Sequence, residues 1–174
     1  TVHDLIYYRN RTPPRDLPAP IRLLWRLYHL AWWPQRMLLN RSDAVVTVSQ
    51  TTKQLIAEHK LTRRPVHVVA NAADMPSLDP VRASRTGPET KSLVYMGSFM
   101  PYKNVELLAR SMSLLPGYTL HLLSKADRAT VGRLTALAPA GTIEFHDGVT
   151  DEEYVRILSS ATALASASLN EGFG

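Results

Sequence analysis

Apolar positions recur with two different periods along the chain, and their alternation predicts a parallel α/β fold. In the first part, the predicted strands are TVHDLIYY, DAVVTVS and RPVHVVANAAD. The predicted helices are IRLLWRLYHLAWW, which Pro34 should kink or end, and QTTKQLIAEHK, which Ser49 should cap. We expect RNRTPPRDLPAP to be an irregular loop, because its prolines at 13, 14, 18 and 20 oppose a regular element.

The pattern stops over residues 75–91 and then restarts, which predicts a linker between two domains. We place the first domain at 1–74 and the second at 92–174. The second domain should contain the strands KSLVYMGS, YTLHLLS, TIEFHD and TALASAS. Its helices should be VELLARSMSLL, capped by Asn104, then DRATVGRLTALA, and then EEYVRILSSA, for which Thr150 and Glu153 can form a capping box. EGFG would begin one more helix.

The amino-acid composition excludes several classes of protein but does not identify a function. The 174 residues are 20% charged and 7% aromatic, which are globular values, and the absence of cysteine excludes a disulfide framework and a cysteine-based zinc cluster. No apolar run approaches the roughly 18 residues of a membrane-spanning helix. Residues 9–41 hold seven arginines against one acid, which indicates an anionic partner or simply a solvated basic face. Nucleic acid is the weaker partner, because no stacking aromatics alternate with the arginines.

Two short segments could bind a phosphate or a sugar. Gly97, Ser98 and Lys103 lie between a predicted strand and a predicted helix, where a glycine exposes backbone amides and a lysine adds a mobile charge. An ordinary surface lysine in a turn explains the same residues. EGFG also follows a strand, and Glu171 could accept sugar hydroxyls or simply act as a first-turn helix acid. The chain has neither GxGxxG nor a P-loop.

In combination, these segments resemble the family-4 (group 1) retaining glycosyltransferases of the GT-B fold. The resemblance rests on VYMGSFMPYKN, IEFHDGVTDEEYVRILSSA and ASASLNEGFG in the second half, and on TVHDLIYY, SDAVVTVS and VHVVANAAD in the first. It runs in the same order over nearly the whole chain. It implies two Rossmann-like parallel-sheet units, both incomplete here, so we expect the chain to be a fragment with little activity of its own.

The resemblance also implies roles for individual residues. Glu171 would contact the transferred hexose, and His3 would act with it at the reacting centre. The donor would be held by Gly97, Ser98, Lys103, Val149 beside Gly148, Gly172, Phe173 and Gly174. Asp4 would face the cleft from the acceptor side. Ser98 stands where many members carry an arginine that binds the diphosphate.

The implied reaction is hexosyl transfer from a nucleotide-diphosphate sugar to a glycan or lipid acceptor, with retention and without a cofactor or metal. The alternative is a catalytically silent α/β binding module with a basic face. The remaining histidines are scattered along the chain without metal-ligand spacing, which favours packing roles.

The arginine- and tryptophan-containing helix could lie on an anionic membrane. Alternatively, Leu24, Leu27, Leu30 and the tryptophans could simply fill the first domain's core, since even a truncated domain needs one. We expect a cytoplasmic protein of cell envelope glycan biosynthesis, with a peripheral position at the inner membrane face as the alternative.

Overall fold

The computed structural model describes residues 1–14, 17–72 and 90–173. The chain forms two compact units, Thr1–Ala73 with Asn170–Gly174, and Asp74–Leu169. Most of the expected linker, residues 75–89, lies outside the described residues. The last five residues group with the first unit, whereas the sequence pattern placed them in the second domain.

The first unit is built on a short parallel sheet. Its helices are α1 (Ile6–Arg9), α2 (Ala19–Tyr28), α3 (Trp33–Leu39) and α4 (Gln50–Glu58), and its strands are β1 (Val45–Thr47) and β2 (Val66–Val68). The two strands pair in parallel from Val45 opposite Val66 to Thr47 opposite Val68. Val2 adds a single parallel bridge to Thr47.

The expected strand over TVHDLIYY is wrong beyond Val2. Asp4 Oδ1 accepts the backbone N–H of Ile6 at 3.0 Å, which starts a helical turn instead. That turn is α1, and it buries Leu5, Ile6 and Tyr8. A local side-chain hydrogen bond therefore overrides a strand-like run of β-branched and aromatic residues.

The prolines act differently from the expectation. Pro20 lies in the first turn of α2 and Pro34 in the first turn of α3, so each begins a helix rather than preventing or ending one. First-turn N–H groups have no partner inside a helix, and proline therefore costs nothing there.

The core of the first unit excludes the apolar side chains of α2. The buried cluster consists of Leu5, Tyr8, Leu39, Val45, Leu55, Ile56 and Leu61. No residue within α2 is buried, and Leu24 is 66% exposed. Leu27 and Leu30 are also exposed, so these leucines do not fill the core. Trp25 of α2 points inward instead, as does His29 just after the helix, and both rings contact the ring of Tyr7.

The second unit is a four-stranded sheet with helices on both faces. Its strands are β3 (Ser92–Tyr95), β4 (Thr119–Leu122), β5 (Ile143–Phe145) and β6 (Ala163–Leu164), and its helices are α5 (Val105–Ser111), α6 (Arg128–Thr135) and α7 (Asp151–Ser160). The strand order is β5-β4-β3-β6, and every pairing is parallel. This confirms the predicted α/β class.

Alternating side chains of the strands form two separate cores. Tyr95, Leu120 and Leu122 pack with residues of α5 and α6 on one face. Val94 on the other face belongs to a cluster with Leu123 and Ala161, against which α7 packs Tyr154 and Ile157. Because successive side chains of a strand point to opposite faces, this sheet is anchored from both sides.

Two predicted caps are confirmed and one is wrong. Ser49 accepts the N–H of Thr52 at the start of α4, and Thr150 with Glu153 forms the capping box of α7. Asn104 precedes α5 in a left-handed conformation, at φ 53°, and its side chain makes no capping bond. Its backbone carbonyl instead accepts the N–H of Leu107 at 3.0 Å. Within the described residues, 165–173 contain no helix, so the expected helix at EGFG does not begin there.

Candidate functional site

The loops that follow β3, β4 and β5 share one edge of the second unit, because all its strands are parallel. These loops are residues 96–104, 123–127 and 146–150. In open parallel sheets, ligands bind at the carboxyl ends of the strands. The sequence-predicted Gly97, Ser98, Lys103 and Val149 all belong to these loops.

The first loop is held closely against the end of its own strand. The Tyr95 hydroxyl donates to the carbonyl of Ser98 at 2.7 Å, and the N–H of Gly97 donates to Ser124 Oγ at 3.1 Å. A Cβ atom added at Gly97 would lie 2.8 Å from the Tyr95 hydroxyl oxygen, closer than real Cβ contacts come. Gly97 is therefore required by this approach of backbone to side chain.

Lys103 ends a short 3₁₀ turn, Pro101–Lys103, that precedes α5. Its ammonium group lies 5.3 Å from the centroid of the Tyr102 ring, within the range of a cation–π contact. Tyr102 itself is buried. The lysine is thus placed in the loop that the sequence indicated, with an aromatic ring beside its charge.

A second lysine at this edge was missed by the sequence analysis. Lys125 lies in the loop after β4, next to Ser124. Its Cγ would lie 3.7 Å from a Cβ added at Gly148. Gly148 has φ +98°, and its N–H donates to the carbonyl of Leu123 at 3.1 Å. The loops after β4 and β5 are therefore tied together, with Lys125 alongside them. The strand-end rule applied to YTLHLLSK would have identified this residue.

In the first unit, the structure brings His3 and Asp4 together with the EGFG segment. A Cβ at Gly172 would overlap Asp4 Cβ and approach the His3 carbonyl oxygen at 3.2 Å, so the two backbones touch. The hydroxyl of Ser49 donates to the carbonyl of Gly172. The Thr52 hydroxyl donates to the His3 carbonyl at 3.3 Å, which ties the same segment to α4.

Glu171 is exposed and lines a small cleft of about 40 Å³ together with Asp4 and Arg9. Phe173 is 46% exposed. Gly174 lies outside the described residues. Glu171 groups with the first unit, whereas Lys103 belongs to the second.

A larger cleft of about 480 Å³ lies in the first unit beside the same segment. It is lined by residues 1–8, including His3 and Asp4, and by side chains of α3 and β1. Its size suits a small ligand. Asp4 lines both this cleft and the smaller one beside Glu171.

Two of the histidines that are scattered along the sequence meet in the structure. His121 on β4 and His146 after β5 meet with their ring nitrogens 3.0 Å apart, and Glu144 lies beside both. Burial lowers the pKa of His121, an effect that the Glu144 carboxylate opposes and His146 reinforces. Separation in sequence hid this cluster, because β4 and β5 are neighbours only in the sheet.

Comparison with known proteins agrees with this architecture. Residues 1–75 match the family described as Glycosyltransferase Family 4. The fold is similar to the crystal structure of TarM, with a TM-score of 0.62 and 13% identity over 77% of this chain and 26% of that one. It is also similar to Anabaena Alr3699/HepE in complex with UDP and glucose, with a TM-score of 0.61 and 18% identity over 85% of this chain and 45% of that one.

The chain thus spans about a quarter of the first of these structures and under half of the second. Among curated proteins, none matches at a significant level. The helices within the described residues are all too short or too polar to cross a membrane.

Proposed function

We propose, from its family-4 sequence match and its GT-B fold, that this chain acts in glycosyl transfer from a nucleotide-diphosphate sugar. The transferred group would be a hexose, the acceptor a glycan or lipid, and the anomeric configuration would be retained, as the sequence resemblance implies. The observation that carries the proposal is the carboxyl edge of the second unit, where Lys103 and Lys125 accompany the tight turns at Gly97 and Gly148.

The two lysines suit the chemistry of the leaving group. When the bond from the sugar to the diphosphate breaks, negative charge develops on the phosphate oxygens. Ammonium groups and backbone amides aimed at that charge stabilise the transition state more than the ground state. We propose that Lys103 and Lys125 supply this stabilisation, so that the reaction requires no metal.

His3, Glu171 and the amides at Gly172–Gly174 would contact the hexose. The close packing of Gly172 on Asp4 holds the backbone of this segment in place, while the Glu171 carboxylate stays exposed for hydroxyl groups. Positioning the sugar in this way lowers the barrier by removing freedom before the reaction begins. HepE was crystallised with UDP and glucose, which supports a nucleotide sugar as the donor here.

The lysine edge can be tested by binding. Titration of UDP, GDP and their glucose conjugates into the protein identifies the nucleotide that binds. We then expect Lys103→Ala to weaken that binding by about 1.5–3 kcal/mol, the size of a hydrogen bond to a charged group. Lys125→Ala should act in the same direction.

Lys91→Ala is the matched control, because Lys91 is an exposed lysine just before β3 and therefore at the amino end of the same strand. Equal dissociation constants for Lys103→Ala and Lys91→Ala would contradict the donor site. Loss of binding in both variants would indicate a general charge effect instead and would also contradict it.

A second function, docking on an anionic membrane, is favoured by the exposure of α2. Leu23, Leu24 and Leu27 are each more than half exposed, and Arg26 on the same helix is exposed with them. Leucines can enter the headgroup boundary while guanidinium groups meet lipid phosphates. We propose that this surface holds the protein at a membrane that contains its acceptor.

Sedimentation with vesicles tests this docking. Anionic phosphatidylserine vesicles should bind the protein and neutral phosphatidylcholine vesicles should not, and Arg26→Gln should lower binding about fivefold, the equivalent of ~1 kcal/mol per basic residue. Leu24→Ser should weaken binding, whereas Leu114→Ser, at a leucine 79% exposed in the second unit, should not. Equal and negligible binding to both kinds of vesicle would contradict the proposal.

A further inference from the structure

Parallel register places three residues of metal-binding types, two histidines and a glutamate, on one face of the second unit's sheet. His121 on β4 lies opposite Glu144 on the neighbouring strand β5. His146 follows Glu144 by two positions, so its side chain leaves the sheet on the same face. The opposite face carries the core leucines Leu120 and Leu122.

The donor atoms of these three side chains converge on one point. His121 Nδ1 lies 3.0 Å from His146 Nε2 and 3.5 Å from Glu144 Oε2. His146 Nε2 lies 3.7 Å from Glu144 Oε1. Ligand atoms about 2.0–2.1 Å from a tetrahedral zinc ion are about 3.3 Å from one another. The two carboxylate distances are to different oxygens of Glu144, and one ligand atom from each residue lies within 4.8 Å of the others, so the three groups are close enough to share one ion.

A single proton can bridge only two of these three groups. When both imidazoles are neutral, one N–H donates to the other ring and occupies the contact between the two nitrogens. The Glu144 oxygens lie 3.5 and 3.7 Å from the two ring nitrogens, which is longer than an ordinary hydrogen bond. A cation among the three groups would be attracted by all of them.

The surroundings suit a bound ion. The side chains of His121 and His146 are only 19% and 18% exposed, whereas Glu144 is 57% exposed at the edge strand. The open side toward Glu144 leaves room for water as a fourth ligand.

We propose that His121, Glu144 and His146 bind a zinc ion, with water completing a tetrahedral site. Two histidines and a glutamate form a donor set that zinc accepts in proteins. The ion would link edge strand β5 to β4 and would anchor the chain just before the turn at Asp147 and Gly148. This site is independent of the proposed glycosyl transfer.

Calorimetry and cobalt absorption on the untagged full chain test the site. We expect one zinc ion per chain, removable with EDTA, and an intense visible cobalt spectrum of tetrahedral type. Zinc at a hundred times its dissociation constant should raise the Tm by about 5–10 °C.

Glu144→Gln and His146→Ala should weaken zinc binding at least about tenfold and remove the cobalt spectrum. Glu144→Gln keeps the side chain's size at an exposed position, so it preserves the fold even if His146→Ala does not. His67→Ala is the matched control, because it removes an exposed histidine on β2 of the first unit. Zinc binding that is unchanged by Glu144→Gln and His146→Ala, or the absence of binding in the unmodified chain, would overturn the proposal.

Discussion

The two units bury apolar surface in different ways. The second unit has a four-stranded sheet with Leu122 buried on one face and Val94 on the other, both at 0% exposure. The first unit has two strands of three residues each, and the leucines of its ten-residue helix α2 remain exposed.

This difference shows that an apolar residue in the sequence predicts a buried side chain in one unit better than in the other. In the second unit, most apolar residues of the strands β3 and β4 become core residues, because helices cover both faces, whereas Leu164 on β6 stays 59% exposed. In the first unit, α2 contacts its neighbours through Trp25, and it presents leucines outward. Apolar side chains that stay exposed in this way are typical of interaction surfaces.

The largest expected effect separates a buried leucine from an exposed one. Leu122→Ala should lower the free energy of unfolding by about 2–5 kcal/mol, because it leaves a cavity in a packed core. Leu24→Ala should change it by less than about 0.5 kcal/mol. Urea denaturation followed by far-UV circular dichroism measures the first. Tryptophan fluorescence measures the second, since Trp25, Trp32 and Trp33 all belong to the first unit. Similar losses in both variants would show that α2 is packed.

The next effect compares two glycines. Gly172→Ala should destabilise the contact of the EGFG segment with Asp4 by about 1–3 kcal/mol, because the new methyl group overlaps that residue. Gly132→Ala in α6 meets no atom within 4 Å and should be neutral or stabilising by about 0.4–1 kcal/mol. Hydrogen exchange at residues 170–173 measures the first, and thermal unfolding the second. Unchanged exchange in Gly172→Ala would contradict the close packing.

Two helix caps provide a smaller contrast between the units. Ser49 caps α4 and also donates to the carbonyl of Gly172, so Ser49→Ala should cost about 1–2 kcal/mol. Thr150 caps the exposed start of α7 within its capping box, and Thr150→Ala should cost about 0.5–1 kcal/mol. Urea denaturation compares the two. A larger loss for Thr150→Ala would show that the Ser49 contact with Gly172 contributes nothing.

The smallest effect is a pH dependence confined to the first unit. Burial raises the pKa of Tyr8 above its ordinary value of 10.0. The unfolded chain therefore loses this proton first, and stability should fall as the pH rises above 10 toward the folded-state pKa. Tyr8→Phe should flatten this part of the profile, read by tryptophan fluorescence, because Tyr8 stacks on Trp32 at 4.2 Å. An equally steep decline in Tyr8→Phe would assign it to other groups.

Much of the local structure follows from short-range patterns. Ser49 and the Thr150–Glu153 pair signal helix starts through neighbouring N–H groups. DAVVTVS signals a buried parallel strand through its β-branched run, and KSLVYMGS signals one through its short apolar run. The prediction over TVHDLIYY failed because the Asp4 side chain competes locally with strand pairing. The loop residues Gly97 and Lys103 could be located because strand ends and helix starts are both readable from sequence.

The sequence by itself determined the caps at Ser49 and Thr150, most of the order of strands and helices along the chain, and the parallel α/β class, because each depends on residues close together in the chain. Only the tertiary structure decided which distant residues meet. The register of the sheet places His121 beside Glu144 and His146. The fold of the first unit packs Gly172 against Asp4 and leaves Leu24 outside the core. These features depend on residues far apart in the chain, and separation along the sequence does not reveal distance in space.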